Sequence, residues 1–376
     1  MQCFKMGRCD MTALLGIMTK LPTPRRLAKQ TIRGYAGVMM PNNRVARCGS
    51  LTIHDHADII YNTATKRANV KNVLSCGSVW SCPVCSERIA NQRRKELEQA
   101  IKQNEGRVFM VTFTMQHYKK HELSELLEVL TTATTKTRSG KSYTDFRRNF
   151  GIIGHITSLE TTASFINGWH PHQHVAYFYK GKLTDSDYAH IQEYLSDRFI
   201  KFLKKAGHYG MDGVSVVLTA DNQAIGNYVS KWGIVDEMTL SNVKRSAEGH
   251  YTLFELLKLA YEGDTEAGRM FVEGVTALTG RKQLRWSKGL KALLLIEEVT
   301  DDQILIDEDL DQDQEILIAQ VDKPGWKIIH GNNLIGHLLQ VVELEDREQL
   351  ELFMDAIGLQ LNDHGIWSVK TCRYLM

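Results

Sequence analysis

Three histidines alternate with other residues along the short segment 168–175. His170, His172 and His174 are each separated by one residue. Because successive side chains of a β-strand point to opposite faces, a strand here would place all three imidazoles on one face. Imidazoles grouped in this way are natural ligands for a divalent metal ion. The segment therefore predicts a sheet that carries a metal site on one face.

A second strand-like run, residues 152–162, precedes the histidines, and an Asn-Gly turn signal lies between the two runs. If the turn centres near Ile166, Glu160 falls opposite His172 on the same face. A carboxylate oxygen would then join the imidazole nitrogens, a donor set that accepts Mg²⁺, Mn²⁺ or another divalent ion. The competing interpretation is an ordinary surface cluster of histidines.

A tyrosine and a lysine lie downstream in a helix-like segment, residues 222–232. Tyr228 and Lys231 are three residues apart and would be neighbours on one helical face. A phenol is a competent nucleophile toward phosphorus when a metal polarises the phosphate and a nearby cation stabilises negative charge. The alternative is a core tyrosine beside a solvated lysine.

Four cysteines form a separate pattern. Cys82 and Cys85 make a Cys-x-x-Cys pair, and Cys48 and Cys76 precede it as single residues. Thiolates at such spacing are typical of structural Zn²⁺ sites, and we expect these four cysteines to bind zinc. Buried thiols or a redox pair are the alternatives.

The charge of the chain is distributed unevenly. The net charge of +2 combines +10 for residues 1–100, +5 for 101–291 and −13 for 292–376. Basic residues that neutralise phosphates release condensed counterions, so the basic part suits a polyanion. No apolar run approaches the roughly 18 residues of a membrane span, and no signal-peptide cleavage context is present, so we expect a cytoplasmic protein without membrane association.

The order of strand-like and helix-like segments predicts the fold class. Strand, helix, strand, strand, helix, strand is the ferredoxin-like α+β pattern, an antiparallel sheet covered by helices on one side. The metal site would then lie on the other face. The six segments are residues 108–115, 122–135, 152–162, 168–175, 185–206 and 213–219. Thr184 or Asp185 would cap the helix at 185–206.

These features together resemble plasmid rolling-circle replication initiators, members of the HUH endonuclease superfamily. The resemblance covers roughly residues 45–290 and leaves out the acidic end of the chain. It rests on the strand 111–114, Glu160 with Thr162, the strand 169–174, Tyr228 with Lys231, and the Cys-Pro-x-Cys segment at Cys82 to Cys85.

The resemblance implies how the metal site is built. His172 and His174 would bind the catalytic Mg²⁺ or Mn²⁺, and Glu160 or His170 would complete the site. The superfamily prefers an apolar residue between its paired histidines, whereas this chain has Gln173 there.

The resemblance also implies the reaction. Tyr228 would attack a phosphate of the plasmid origin, leaving a 5′-phosphotyrosyl link and a 3′-hydroxyl that primes a host polymerase. Lys231 would stabilise charge or activate the tyrosine. Some relatives carry a second tyrosine or a glutamate one turn from the nucleophile, but Ala224 and Trp232 occupy those positions here. Origin DNA, a host helicase and a host polymerase are the expected partners, and a homodimer stays open.

The same sequence features suggest five segments along the chain. They are a basic arm (1–45), a Cys-rich zinc module with the helix that follows it (46–103), the HUH nicking and joining domain (104–235), a basic DNA-binding extension (236–291) and an acidic C-terminal region (292–376).

Other functions compete with this one. Transposases and conjugative relaxases of the same superfamily share the chemistry. A metal-dependent hydrolase of small molecules would need repeated strand-helix units, which the sequence lacks. A non-catalytic zinc-containing regulator would bind origin DNA without cleaving it.

Overall fold

The computed structural model describes residues 25–220, 249–306 and 314–370. The expected helix at 222–232 lies outside the described residues. The described helices are α1 (Arg25–Met39), α2 (Pro83–Gln103), α3 (Leu123–Thr137), α4 (Gly140–Asn149), α5 (Asp185–Lys205), α6 (Leu253–Tyr261), α7 (Thr265–Leu278), α8 (Leu290–Leu293), α9 (Asp301–Ile306), α10 (Lys323–Gly331), α11 (Ile335–Glu343) and α12 (Arg347–Ala356). The described strands are β1 (His56–Asn62), β2 (Arg67–Lys71), β3 (Val108–Phe113), β4 (Ile152–Ser164), β5 (Gly168–Tyr179), β6 (Val216–Ala220), β7 (Leu284–Trp286), β8 (Glu315–Asp322), β9 (Leu359–Leu361) and β10 (Trp367–Val369).

The chain divides into two compact units, and each has its own five-stranded sheet. The first unit combines residues 1–85 with 305–376, and the second is residues 86–304. The overall class is therefore mixed α+β with flanking helices, as the sequence predicts. The sheets are antiparallel except that β10 pairs parallel with β8 in the first unit.

The sheet of the second unit is antiparallel throughout, in the order β6-β3-β5-β4-β7. Its elements follow the chain order that the sequence predicts, with α4 inserted between α3 and β4. The expected strand at 108–115 and the expected helices at 122–135 and 185–206 are confirmed as β3, α3 and α5. Thr184 caps α5 by accepting a hydrogen bond from the Asp187 backbone N–H, while the Asp187 carboxylate accepts from the Thr184 N–H.

The two faces of this sheet have different coverings. Phe109 and Phe113 point to the face covered by α5, where Phe113 packs edge-on against Phe199 with ring centroids 5.1 Å apart. On the opposite face, Ala176 and Phe178 belong to a buried apolar cluster with Leu97 of α2. The alternation of side chains along β5 places the three histidines on that second face too, nearer the start of the strand. The metal-ligand candidates and an apolar core thus share one face.

The first unit is built from both ends of the chain. Its sheet has the order β2-β1-β8-β10-β9, and β8 from the C-terminal part pairs antiparallel with β1. A single apolar core includes Ile59 of β1, Trp326 of α10 and Phe353 of α12. The acidic C-terminal region therefore supplies much of the structure around β1 and β2.

No helix in the described residues is long and apolar enough to cross a membrane.

We expect Phe353→Ala to lower the free energy of unfolding of the first unit by about 3–5 kcal/mol, because it leaves a cavity in the shared core. Phe353 is fully buried, whereas the adjacent Leu352 is 48% exposed. Hydrogen exchange of the β1 amides measures the effect, and Leu352→Ala is the matched control. Equal loss of β1 protection in both variants would contradict the shared core.

Candidate functional site

The pairing of β4 with β5 sets the position of each candidate ligand. Glu160 lies directly opposite His172, and Ser158 lies opposite His174. This is the register expected from the sequence, and it is confirmed. The turn into β5 requires glycine at 168, where φ is +78° and an added Cβ would lie 2.8 Å from the Cα of Lys119.

One carboxylate oxygen contacts both imidazoles of the paired histidines. Glu160 Oε2 lies 3.2 Å from His172 Nε2 and 3.1 Å from His174 Nε2. One ligand atom from each of the three residues lies within 4.8 Å of the others, close enough to bind one metal ion. Two nitrogens and a carboxylate oxygen suit several divalent ions, so this donor set fits the expected Mg²⁺ or Mn²⁺ without selecting one.

Electrostatics keep the glutamate charged. Burial by itself would raise the pKa of Glu160, but the hydrogen bonds from His172 and His174 outweigh burial and hold the pKa well below the usual carboxyl value. The carboxylate is therefore available as an anionic ligand at neutral pH.

A threonine of the neighbouring strand orients His174. Thr112 lies opposite His174 in the pairing of β3 with β5, and its Oγ1 is 3.0 Å from His174 Nδ1. A ring held through Nδ1 presents Nε2 to the site, an arrangement that raises ligand affinity in metal proteins. His172 Nδ1 is buried without a hydrogen-bond partner among the described residues. Sequence reasoning missed Thr112 as a positioning residue, although strand alternation places it on the histidine face.

His170 has different neighbours. Its Nε2 lies 2.8 Å from Thr114 Oγ1, and its ring stacks on His117 with centroids 4.8 Å apart. Burial, followed by the charge of His172, lowers the pKa of His170 to about 3. Among the described residues, the group that could hold a metal contains Glu160 and the other two histidines and does not include His170.

The expected nucleophile and its lysine, Tyr228 and Lys231, lie outside the described residues. The chain reaches them after β6, which pairs with β3 along the edge of the sheet. Their positions relative to Glu160 therefore stay a prediction from the sequence.

The four cysteines of the first unit converge in a buried cluster. Cys48 Sγ lies 3.7 Å from Cys82 Sγ and 3.6 Å from Cys85 Sγ, and Cys76 Sγ lies 3.7 Å from Cys85 Sγ. These distances are far beyond the roughly 2.05 Å of a disulfide. Sulfurs held about 2.3 Å from one tetrahedral zinc ion are about 3.8 Å apart. The cluster fits a metal ion such as zinc.

Hydrogen bonds of the local backbone hold the cysteines of this cluster in position. Cys82 immediately precedes α2, and the N–H of Cys85 in its first turn donates to Cys82 Sγ at 3.4 Å. The carbonyl of Cys48 accepts hydrogen bonds from Arg33 at 2.6 Å and from the His330 ring at 3.1 Å. Residues from both ends of the chain thus hold the first cysteine.

The four thiols are buried, and burial opposes their ionisation. Burial raises the pKa of the Cys82 thiol, whereas hydrogen bonds from Cys76, Cys82 and Cys85 lower the pKa of the Cys48 thiol. Four buried thiolates would repel one another strongly, so only a cation allows all of them to ionise together.

Comparison with known proteins identifies the family. A family model described as "Replication protein" matches residues 67–324, which is more than half of the chain. The chain belongs to the family of replication proteins. The match includes the histidine hairpin and three of the four clustered cysteines. The resemblance to plasmid replication initiators that the sequence showed is thereby confirmed.

Two curated proteins are similar to this replication protein. "Protein rep" of Streptomyces lividans is 23% identical over 344 residues, which cover 72% of this chain and 75% of the relative. "Neomycin resistance protein" of Streptomyces cyanogenus is 29% identical over 155 residues, covering 34% of this chain and 36% of that protein. No solved structure matches this chain.

We expect Thr112→Val to weaken Mn²⁺ binding by about 10- to 100-fold, because the isosteric valine removes the hydroxyl that hydrogen-bonds to His174 Nδ1. Isothermal titration calorimetry measures the affinity. Thr114→Val is the matched control, since Thr114 contacts His170, which lies outside the ligand group. An equal loss in both variants would show that His170 is a ligand too.

We expect Cys82→Ser to lose the metal of the cysteine cluster and to destabilise the first unit, because binding to buried thiolates supplies folding free energy. Inductively coupled plasma mass spectrometry of the purified protein measures zinc content. Cys3→Ser removes a thiol that is not one of the four predicted zinc ligands, so this control variant should keep zinc. Full zinc content in Cys82→Ser would rule out the cluster as a zinc site.

Proposed function

We propose that this protein starts plasmid rolling-circle replication as a metal-dependent, site-specific DNA nicking and joining enzyme of the HUH type. The observation that carries the proposal is the grouping of Glu160, His172 and His174 on one strand pair in a member of the replication protein family. A carboxylate and two imidazoles on adjacent strands form a compact site for one divalent ion.

The topology of the second unit supports a ferredoxin-like core. The strand order β6-β3-β5-β4 is that expected for a strand, helix, strand, strand, helix, strand unit, with the two long helices, α3 and α5, packed against each other. In this arrangement the helices cover one face and leave part of the other for the ligands. β7 extends the sheet at its far edge.

Tyr228 is the proposed nucleophile. Its phenol oxygen would form a bond to phosphorus as the bond from phosphorus to the 3′-oxygen breaks, and the phenol proton would pass to solvent or a base while the 3′-oxygen gains one. The bound Mg²⁺ or Mn²⁺ would polarise the scissile phosphate. Lys231 would stabilise the developing negative charge. One phosphoester replaces another, so strand transfer needs no nucleotide energy source and is reversible.

The remaining proposed roles follow from this reaction. Plasmid origin DNA is the substrate, and the released 3′-hydroxyl is a primer for a host polymerase that works with a host helicase. The cysteine cluster would bind structural Zn²⁺ and hold the first unit together. Glu160 and His172 would bind the catalytic metal with His174, and His170 would border the site.

We expect Tyr228→Phe to lower the rate of covalent adduct formation by about a thousandfold or more, because phenylalanine lacks the attacking oxygen. DNA binding should survive. The assay is incubation with a labelled single-stranded oligonucleotide from the cognate origin plus Mn²⁺, followed by denaturing electrophoresis and peptide mass mapping. Tyr209→Phe, which alters an exposed tyrosine, is the matched control.

Each other outcome of this assay has a defined meaning. An adduct that persists in Tyr228→Phe would overturn the nucleophile assignment. Cleavage by the wild-type protein without any adduct would indicate a hydrolytic nuclease. Binding with neither cleavage nor adduct would favour a zinc-containing DNA-binding regulator.

A further inference from the structure

Arginine side chains from separate elements converge on the sheet face opposite the metal-ligand group. Arg285 of β7 lies directly opposite Thr157 of β4. Arg138, at the end of α3, donates from Nη1 to Thr157 Oγ1 at 2.9 Å. Because Thr157 is an odd number of residues from Glu160, its side chain points to the other face of the strand. Two guanidinium groups therefore flank one threonine on the helical face.

A third arginine joins them from α4. Arg147 donates from Nη2 to the carbonyl oxygens of Ile152 at 3.3 Å and Ile153 at 3.1 Å, at the start of β4. His155 follows on the same face as Thr157, and its Nδ1 is buried without a hydrogen-bond partner among the described residues. Burial, then the charges of Arg138 and Arg147, lower the pKa of His155 well below its usual value. The histidine is thus neutral beside three cations.

The charges of this arginine cluster are not balanced by carboxylates. Among the described residues, no carboxylate lies within ion-pair distance of Arg138, Arg147 or Arg285. The acid nearest in sequence, Asp145, pairs instead with Arg148 at 3.4 Å. Partial desolvation of the guanidinium, and then the charge of Arg138, lower the pKa of Arg285, so the two guanidinium groups lie close enough to repel each other. An anion bound between them would relieve this repulsion.

The cluster is accessible and adjoins further positive charge. Arg285 is exposed on the edge strand β7, while Arg138 and Arg147 are half-buried. Residues 136–148 contain five lysines and arginines and one acid. Guanidinium groups bind phosphate oxygens through paired hydrogen bonds, and a strip of cations suits successive phosphates better than one isolated phosphate.

We propose that Arg138, Arg147 and Arg285 bind the phosphodiester backbone of DNA, on the face of the sheet opposite Glu160, His172 and His174. This inference rests on the proposed function, because that function makes DNA the substrate of the protein. It adds a second contact surface that positions DNA without taking part in the transfer reaction. Phosphate contacts of this kind fix orientation and carry no sequence information directly.

The test compares Arg285→Ala with Lys327→Ala, which removes an exposed lysine from α10 in the acidic C-terminal region. Each protein is titrated with a short labelled DNA duplex of arbitrary sequence over a range of salt concentrations. We expect Arg285→Ala to bind the duplex more weakly. A plot of the logarithm of its association constant against the logarithm of salt concentration should have a slope smaller in magnitude by about one. Lys327→Ala should keep the wild-type slope. Mn²⁺-dependent cleavage of a saturating single-stranded oligonucleotide is measured in parallel, to show whether each variant keeps an intact nicking site.

The outcomes separate this inference from the proposed function. If Arg285→Ala and Lys327→Ala have equal slopes, the arginine site is overturned even though nicking stands. If the wild-type protein binds duplex with the expected Arg285 dependence but never cleaves, the proposed function fails and the arginine site stands. If Arg285→Ala weakens the binding of ATP but leaves the binding of the duplex unchanged, the site binds free nucleotide, which overturns DNA as its occupant.

Discussion

The antiparallel pairing of β4 with β5 is the constraint on which the candidate active site depends. A shift of one residue would turn every side chain of one strand to the other face and separate Glu160 from His172. The observed register is anchored at the turn, where Gly168 has a positive φ and packs closely on the backbone of Lys119. The same alternation that gathers the ligands on one face places the arginine cluster on the other.

A buried charge network lies on the ligand side of this sheet. Lys291 is paired with Glu96 of α2 at 3.1 Å, and Glu96 is also paired with Arg93 at 2.5 Å. Lys291 and Glu96 are almost completely buried, and removing one partner of such a pair is strongly destabilising. The network ties α2 to the segment after β7, and both contribute to the apolar cluster on that face. The apolar cluster occupies the second half of β5, and the metal-ligand candidates lie in its first half.

The first unit shows how distant parts of the chain combine. Cys48 is held by Arg33 from the N-terminal part and by His330 from the C-terminal part, while Trp326 donates to the carbonyl of Gly49 at 2.8 Å. The acidic C-terminal region therefore supports the cysteine cluster as well as the core around β1. A cluster with such supports resembles a structural site, since its thiols are buried and its backbone is fixed.

Much of the second unit followed from the sequence alone, because its signals are local. The strand period of the histidines, the cap of α5 and the Asn-Gly turn predicted the elements, and the turn position predicted that Glu160 would face His172. The cysteine spacing likewise predicted a four-thiol cluster. Only the tertiary structure showed that β8 completes the sheet of β1, that Thr112 orients His174, and that three arginines share one face. Those features depend on contacts between residues far apart in the chain, which leave no period or motif in the sequence.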